Sequence, residues 1–173
     1  MDGGLKRSAT VALAQPAPPA SLGDMTYEQA ERARVSKITA LCKKSLDVDD
    51  VSYRQGGGGM RLAYIEGVDT IRHLNEVFGP LGWTITYGET SKVVQDGPKI
   101  VLRVKCRLEV EGGKVWREDV GFGEDTRGDY EKAEKTAYTD ALKRAARLFG
   151  AYFGLDLYDK EKLKEIENEK KKK

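Results

Sequence analysis

The chain has 173 residues, and its 30 Lys and Arg against 28 Asp and Glu leave a formal net charge of only +2, so any site for a polyanion must be a local patch. A hydrophobic content of 39% suits one globular domain, while no apolar run approaches the roughly 20 residues of a bilayer span, so no membrane partner is expected. With two cysteines outside any Cys-x-x-Cys spacing and a single histidine, the sequence indicates neither a disulfide framework nor a zinc site.

The N-terminal part is predicted to be a disordered tail followed by a helix. Residues 1–25 hold three prolines between positions 15 and 20, as an unfolded tail does. The helix is expected to begin at Thr26, because Gln29 three residues later completes a capping box in which each side chain bonds the other residue's backbone N–H. A break follows the helix and ends in the tetraglycine segment, residues 56–59.

A short strand and a second helix are predicted beyond the glycines. The strand covers residues 62–65, and the helix runs from about 69 to 78, where Gly79-Pro80 stops it. The single histidine, His73, is predicted to lie on the surface of this helix. The residues expected to face the core are Ile71, Leu74, Val77 and Phe78.

Three antiparallel strands and a long helix are predicted for the second half. The first strand begins at Trp83, and the clearest covers residues 99–111, where apolar residues fill every second position. Gly112-Gly113 is expected to turn the chain into a strand over 115–120, before a helix from about 129 to 150. The other face of the clearest strand is mostly basic, with Arg103, Lys105 and Arg107.

These elements predict an α+β fold: an antiparallel β-β-β-α core with an additional N-terminal helix and a short strand–helix unit. The folded domain is expected to span residues 26–158. Residues 159–173 form a charged C-terminal extension, predicted to fray or to form a solvated helix with Leu163 and Ile166 as its anchors.

Two basic clusters could contact a nucleic acid. The long helix carries Lys143, Arg144 and Arg147 beside its apolar stripe, so it can present fixed positive charge to a polyanion. The tetraglycine segment lies between Arg54 and Arg61 and leads to Tyr64. Glycine lets a loop bring its amides close to a phosphate backbone, and a tyrosine offers a stacking surface.

Enzymatic sites are less well supported. Gly59 is followed by Met60-Arg61 and not by the Lys-Ser/Thr pair of a phosphate-binding Walker loop, so ATP chemistry is not expected. A metal-dependent nuclease would need clustered carboxylates, and the sequence offers Glu118, Asp119, Glu124 and Asp125. Glu118 and Asp119 face opposite ways in a strand, however, which leaves the nuclease as a minority alternative.

Four motifs occur in an order and spacing that resemble a known family. They are Arg-x-Gly-Gly-Gly-Gly-x-Arg-x-x-Tyr-Ile-Glu-Gly up to Gly67, Asn-Glu-Val-Phe-Gly up to Gly79 with Gly82-Trp83, Glu-Asp-Val-Gly-Phe-Gly up to Gly123, and Thr-Asp-Ala-Leu-Lys-Arg-Ala up to Ala145. On these motifs, residues 50–164 resemble the N-terminal homologous-pairing domain of the Rad52 family of single-strand annealing proteins.

The resemblance implies a β-β-β-α core that assembles into a homo-oligomeric ring, with single-stranded DNA in a basic groove around the outside. Matched by position, the DNA-contacting residues of this groove are Arg54, Tyr64, Lys143, Arg144 and Arg147, and Arg61 stands where the family also has a basic residue. A second DNA site, for the other strand or a duplex, would fall on Lys99, Lys160 and Lys164.

The function so implied is ATP-independent binding of single-stranded DNA and annealing of complementary strands in homologous recombination and double-strand break repair. No catalytic residue, metal or cofactor is expected, and a nuclear location is expected, with mitochondria or another organelle as the alternative. In larger members a long tail recruits a recombinase and a single-strand binding protein, two partners that this short chain does not support. A general module that binds single strands without annealing them fits the same basic and aromatic residues.

Overall fold

The computed structural model describes residues 26–172, so the predicted tail over residues 1–25 lies outside the described part. The chain divides into two compact units, Met1–Val35 and Ser36–Lys173. In the first unit, the described residues are the beginning of helix α1 (Tyr27–Lys43). Its predicted capping box is confirmed, because the Thr26 N–H donates to Gln29 Oε1 at 2.9 Å and the Gln29 N–H donates to Thr26 Oγ1 at 3.3 Å.

The second unit contains a two-stranded and a four-stranded antiparallel sheet. The strands are β1 (Val51–Gln55), β2 (Arg61–Ile65), β3 (Trp83–Tyr87), β4 (Ser91–Asp96), β5 (Lys99–Val110) and β6 (Val115–Asp125). The helices that follow α1 are α2 (Gly67–Phe78), α3 (Tyr130–Arg147) and α4 (Lys160–Lys170). The predicted α+β class is therefore confirmed, although β1 and β4 were not predicted.

The four-stranded sheet is organised around β5. On one side β5 pairs with β6 along its length, and on the other side its two ends pair separately with β3 and β4. The apolar residues of β5 are buried as predicted: Ile100, Leu102, Val104, Cys106, Leu108 and Val110. Because side chains alternate along a strand, the sheet has one face toward the core and one toward solvent.

Helix α3 packs on the core face of the sheet through its smallest residues. Ala133, Ala137, Ala141 and Ala145 are fully buried. The Cys106 thiol on β5 donates to the Ala141 carbonyl oxygen at 3.1 Å, which brings sheet and helix backbone close together. Gly121 and Gly123 on β6 face the same helix without a Cβ between the two backbones. This close packing fixes where the cations at the end of α3 lie.

The buried face of α2 differs from the predicted one. The buried residues are Thr70, His73, Leu74 and Val77, whereas Ile71, predicted to face the core, is 41% exposed. The prediction of a surface histidine was also wrong, because His73 Nε2 lies 3.0 Å from Asp50 Oδ2 and Nδ1 lies 2.9 Å from the Tyr152 carbonyl oxygen. Polar partners at both ring nitrogens let this histidine occupy the interior.

A smaller apolar cluster joins the two-stranded sheet to the C-terminal extension. Ile166 on α4, one of the two predicted anchors, is buried with Val51 of β1 and Ile65 of β2. The Lys170 ammonium also donates to the Val51 carbonyl oxygen. The extension is thus helical over Lys160–Lys170 and packs against β1 and β2. None of the helices between residues 26 and 172 is both long and apolar enough to cross a bilayer.

Asp125, at the end of β6, organises the turn into α3. Its carboxylate accepts from Lys132 Nζ at 3.0 Å and from the backbone N–H groups of Arg127 at 2.7 Å and Asp129 at 3.1 Å. The bond from Lys132 and the two N–H groups lower the pKa of Asp125 from 3.8 to about 2. Because the folded pKa is the lower one, Asp125 stabilises the fold above the unfolded pKa, and this contribution is lost as the pH falls toward about 2.

The Asp125→Asn variant should show this pH dependence directly. We expect it to be less stable than the unsubstituted chain at neutral pH, and the difference to shrink between about pH 4 and about pH 2, where the native carboxylate takes up its proton. Thermal unfolding midpoints of both proteins across this range measure the difference. Asp96→Asn, at an exposed carboxylate of β4, is the control. A difference that stays constant down to pH 2 would contradict the role given to Asp125.

Candidate nucleic-acid interface

A groove of about 290 Å³ lies between the β1–β2 hairpin, the C-terminal half of α3 and the segment that follows α3. Strand β2 forms one wall of the groove, and the exposed side of the last turns of α3 forms the other wall. All six residues of the first predicted site line this groove: Arg54, Arg61, Tyr64, Lys143, Arg144 and Arg147. Residues that are far apart in the sequence are thus brought together at one surface.

The β1–β2 hairpin holds two of these arginines in place. The tetraglycine segment is the hairpin loop, with Gly58 at φ 68° and Gly59 at φ 79°, a region of backbone conformation that favours glycine. In the register of the hairpin, Gln55 stands opposite Arg61 and Arg54 opposite Leu62. The glycines therefore form a turn between Gln55 and Arg61, and Arg54 lies one residue before the turn on the same face of the hairpin as Leu62 and Tyr64.

Tyr64 lies between the two walls and contacts cations from both. Its ring centroid is 5.7 Å from the Arg54 guanidinium and 5.1 Å from the Lys143 ammonium, within the range of cation–π attraction. The Tyr64 hydroxyl donates to Glu66 Oε1 at 2.8 Å, and this bond is the main cause that raises the pKa of Tyr64. The phenol therefore stays neutral.

Lys143 is one of three partly buried cations of the groove, with Arg144 and Arg147. Burial lowers its pKa from the ordinary lysine value, whereas the charges of Asp140 and Glu66 raise it and that of Arg54 lowers it further. A further anionic group close to Lys143 would stabilise its charged form. A DNA phosphate is such a group, so the environment of Lys143 favours an anionic ligand.

Asp119 on β6 joins the two arginines of α3. Arg144 Nε lies 3.2 Å from Asp119 Oδ1, and a terminal nitrogen of Arg147 lies 3.5 Å from Asp119 Oδ2. One carboxylate thus holds two guanidinium groups, which leaves a net charge of +1 on the cluster. The Arg147 guanidinium also lies 4.3 Å from the ring centroid of Tyr158. These contacts orient the two arginines while a positive charge remains for a phosphate.

Three contacts made by cations of the groove were missed by the sequence analysis. Tyr53 lies under the Arg61 guanidinium, at 3.7 Å from the ring centroid, and Tyr158 lies under Arg147. Asp119 was recognised only as a residue able to pair with some cation. A signal was present for Tyr53, which precedes Arg54 in the sequence, so that aromatic and basic residues adjoin there.

The residues of the second predicted DNA site lie on separate elements. Lys99 is at the start of β5 and pairs with Glu124 at 3.0 Å. Lys160 and Lys164 lie on the first two turns of α4 and are exposed. Lys164 follows Leu163, which lines the groove, so α4 is next to the first site.

The solvent face of the sheet carries paired charges. Lys105 Nζ lies 2.6 Å from Glu118 Oε2, and Arg107 Nε lies 2.6 Å from Glu109 Oε1. Glu118 and Asp119, the carboxylates that suggested a nuclease, lie on opposite faces of β6 as predicted, and each is held by cations. This basic face is therefore largely neutralised by carboxylates of the sheet itself, unlike the groove.

Comparison with known proteins identifies the family of the chain. Residues 34–173 match the Rad52/22 family, described as double-strand break repair proteins. The chain belongs to this family. It is 36% identical over 152 residues to the DNA repair and recombination protein RAD52 of Eremothecium gossypii, covering 83% of this chain and 35% of that protein.

Two further relatives give the same result. The DNA repair and recombination protein RAD52 of Saccharomyces cerevisiae is 37% identical over 142 residues, which cover 77% of this chain and 30% of that protein. The DNA repair and recombination protein rti1 of Schizosaccharomyces pombe is 34% identical over 151 residues, or 80% of this chain and 40% of that protein. The Rad52/22 chain described here thus spans about a third of the length of these curated relatives, which are named as DNA repair and recombination proteins.

Proposed function

We propose that this Rad52/22 chain binds single-stranded DNA in the groove and anneals complementary strands without nucleotide hydrolysis. The observation that carries the proposal is the gathering of five cations and a neutral tyrosine in one groove. The carboxylates next to these cations are Asp119, Asp140 and Glu66. Because cations outnumber carboxylates there, the groove keeps a positive charge although the whole chain is nearly neutral.

The mechanism is one of binding, with no covalent bond made or broken. Lysine and arginine neutralise phosphates and release counterions, so affinity should fall steeply with salt and depend little on base sequence. Tyr64 supplies a stacking surface, which any base can use. A strand held by its backbone keeps its bases available, and complementarity is then tested by base pairing itself.

The wider assembly belongs to the same proposal. A homo-oligomeric ring would multiply weak contacts along one strand through effective concentration. Lys160 and Lys164, next to the groove, would hold the second strand or a duplex. Lys99 would contribute to this second site from a different part of the surface. Action in the nucleus fits a role in DNA repair, and mitochondria or another organelle is the alternative location. A recombinase or single-strand binding protein as partner has no support in the described residues.

Annealing of fluorescently labelled complementary oligonucleotides tests the proposal. We expect the chain to accelerate annealing equally with and without ATP, and to leave both strands intact in magnesium. Binding without faster annealing would identify a general single-strand-binding module instead. Cleavage of labelled DNA in magnesium would identify a nuclease. Either result would overturn the annealing function. If the chain binds single strands without annealing them, the binding data would still test whether the groove holds DNA.

A further inference from the structure

Arg61 keeps its full positive charge in the basic groove, unlike the two arginines of α3. Arg144 and Arg147 share the carboxylate of Asp119. Arg61 is exposed, and within the described part of the chain it has no ion-pair partner. Its guanidinium carbon lies 3.7 Å from the ring centroid of Tyr53, well within the range of cation–π attraction. An aromatic ring, and not a carboxylate, therefore holds this arginine.

The register of the β1–β2 hairpin brings this ring and the guanidinium together. Tyr53 stands opposite Ala63, and Arg61 precedes Ala63 by two residues, so Tyr53 and Arg61 are diagonal neighbours on one face of the hairpin. The small Ala63 side chain leaves space for the guanidinium above the ring. Arg54 and Tyr64 belong to the other face, yet Arg61 lines the groove with them. Arg61 thus reaches the groove from the opposite face of the hairpin.

The Tyr53 ring is itself fixed from the side of α4. It packs against the smaller apolar cluster, which joins the two-stranded sheet to α4. Lys170 Nζ lies 5.3 Å from the ring centroid and donates to the Val51 carbonyl oxygen. Burial is the main cause that raises the pKa of Tyr53, the charge of Glu167 adds to it, and that of Arg61 opposes it. The phenol is therefore neutral at neutral pH, and the ring holds Arg61 without cancelling its charge.

We propose that Tyr53 is a positioning residue for DNA binding, whose ring holds the Arg61 guanidinium at the groove for contact with a phosphate. A long exposed side chain loses conformational freedom when it binds a ligand, and a side chain that a ring already holds loses less. A carboxylate in the place of Tyr53 would also hold the guanidinium, but it would neutralise part of the charge that attracts DNA. The inference deepens the proposed function and rests on it.

Replacing Tyr53 by an apolar residue without a ring tests the inference. Tyr53→Leu removes no charge, yet we expect it to weaken binding of a single-stranded oligonucleotide by about three- to tenfold, because Arg61 is no longer held. The slope of log affinity against log salt, measured by fluorescence anisotropy, should fall toward that of Arg61→Gln, which loses the phosphate contact itself. Tyr53→Phe keeps the ring and should keep most of the affinity and of the slope. Tyr27→Leu, at an exposed tyrosine of α1, is the matched control.

The double variant distinguishes positioning from a direct contact with DNA. If Tyr53 acts through Arg61, Tyr53→Leu should change the affinity of the Arg61→Gln chain by less than about twofold. A larger loss in that chain would show that the ring contacts DNA or supports the fold, and would overturn the inference. So would a weaker affinity of Tyr53→Leu with an unchanged salt slope. Because a misfolded chain would lose affinity in either background, the same comparison detects misfolding.

The remaining outcomes separate this inference from the proposed function. If the unsubstituted chain binds the oligonucleotide and Tyr53→Leu binds it equally well, the inference fails and the proposed function stands. Native affinity and slope in Arg61→Gln have the same consequence, because Arg61 then contacts no phosphate. An equal loss in Tyr53→Phe and Tyr53→Leu would assign the effect to the hydroxyl and also overturn the inference. If the unsubstituted chain binds no oligonucleotide, the proposed function fails and the inference fails with it.

Discussion

Replacing Gly123 by alanine is expected to destabilise the domain by at least about 3 kcal/mol. A Cβ at this position of β6 would lie 1.8 Å from the Ala133 carbonyl oxygen and 2.6 Å from the Ala137 backbone nitrogen. Both atoms belong to the backbone of α3 and cannot turn aside as a flexible side chain can. The helix would have to move off the sheet, with loss of the contacts made by its buried alanines.

Urea unfolding of the Gly123→Ala variant measures this effect, and Gly57→Ala is the matched control. Gly57 has no atom within 4 Å of an added Cβ and lies outside the positive-φ region, so its substitution should change stability by less than about 0.5 kcal/mol. Equal stability of the two variants would show that α3 does not lie this close to β6. Because α3 carries Lys143 and Arg144, the Gly123 variant should also bind DNA more weakly under conditions where it remains folded.

The strands that could be predicted are those with an alternating pattern. β5 has one apolar and one polar face, and every residue predicted to face the core is buried. β4 was missed because all of its residues are exposed, so no alternation marks it. It exists through pairing with β5, a long-range interaction that a local pattern does not contain.

Buried polar residues also limited how much of the fold could be predicted from the sequence. His73 and Thr70 look like surface residues of α2, yet both are buried. The Thr70 hydroxyl donates to the Glu66 carbonyl oxygen one turn earlier, and His73 contacts Asp50, which lies outside the helix. Their burial rotates the inward face of α2 and leaves Ile71 exposed. The partner of His73, Asp50, precedes it by 23 positions, so only the folded chain shows why the histidine is inside.

The residues of the basic groove could be selected from the sequence, but their carboxylate partners could not. Cationic and aromatic residues near a glycine loop and on α3 pointed to the groove through composition and through resemblance to the family. The pairing of Asp119 with Arg144 joins residues 25 positions apart on β6 and α3. This contact depends on the close packing of sheet and helix. The spacing of glycines and alanines in the sequence permits that packing but does not predict it.

Replacing Lys143 by alanine is expected to give the largest loss of DNA binding among the groove residues. Lys143 contacts Tyr64 and is partly buried between the walls of the groove, so an alanine removes both a charge and a packing contact. Arg144 should matter less, because Asp119 already neutralises part of its charge. We expect Lys143→Ala to weaken binding by roughly tenfold or more and to slow annealing accordingly.

The salt dependence of binding distinguishes a lost phosphate contact from a loss of shape. For single-stranded DNA, the slope of log affinity against log salt should fall by about 0.7 for each phosphate contact that the substitution removes. Lys143→Arg keeps the charge and should retain most of the slope, while Lys114→Ala removes an exposed cation at the β5–β6 turn and should retain all of it. Fluorescence anisotropy at several salt concentrations gives these slopes. If Lys143→Ala binds and anneals like the unsubstituted chain, with an unchanged slope, DNA does not lie in this groove.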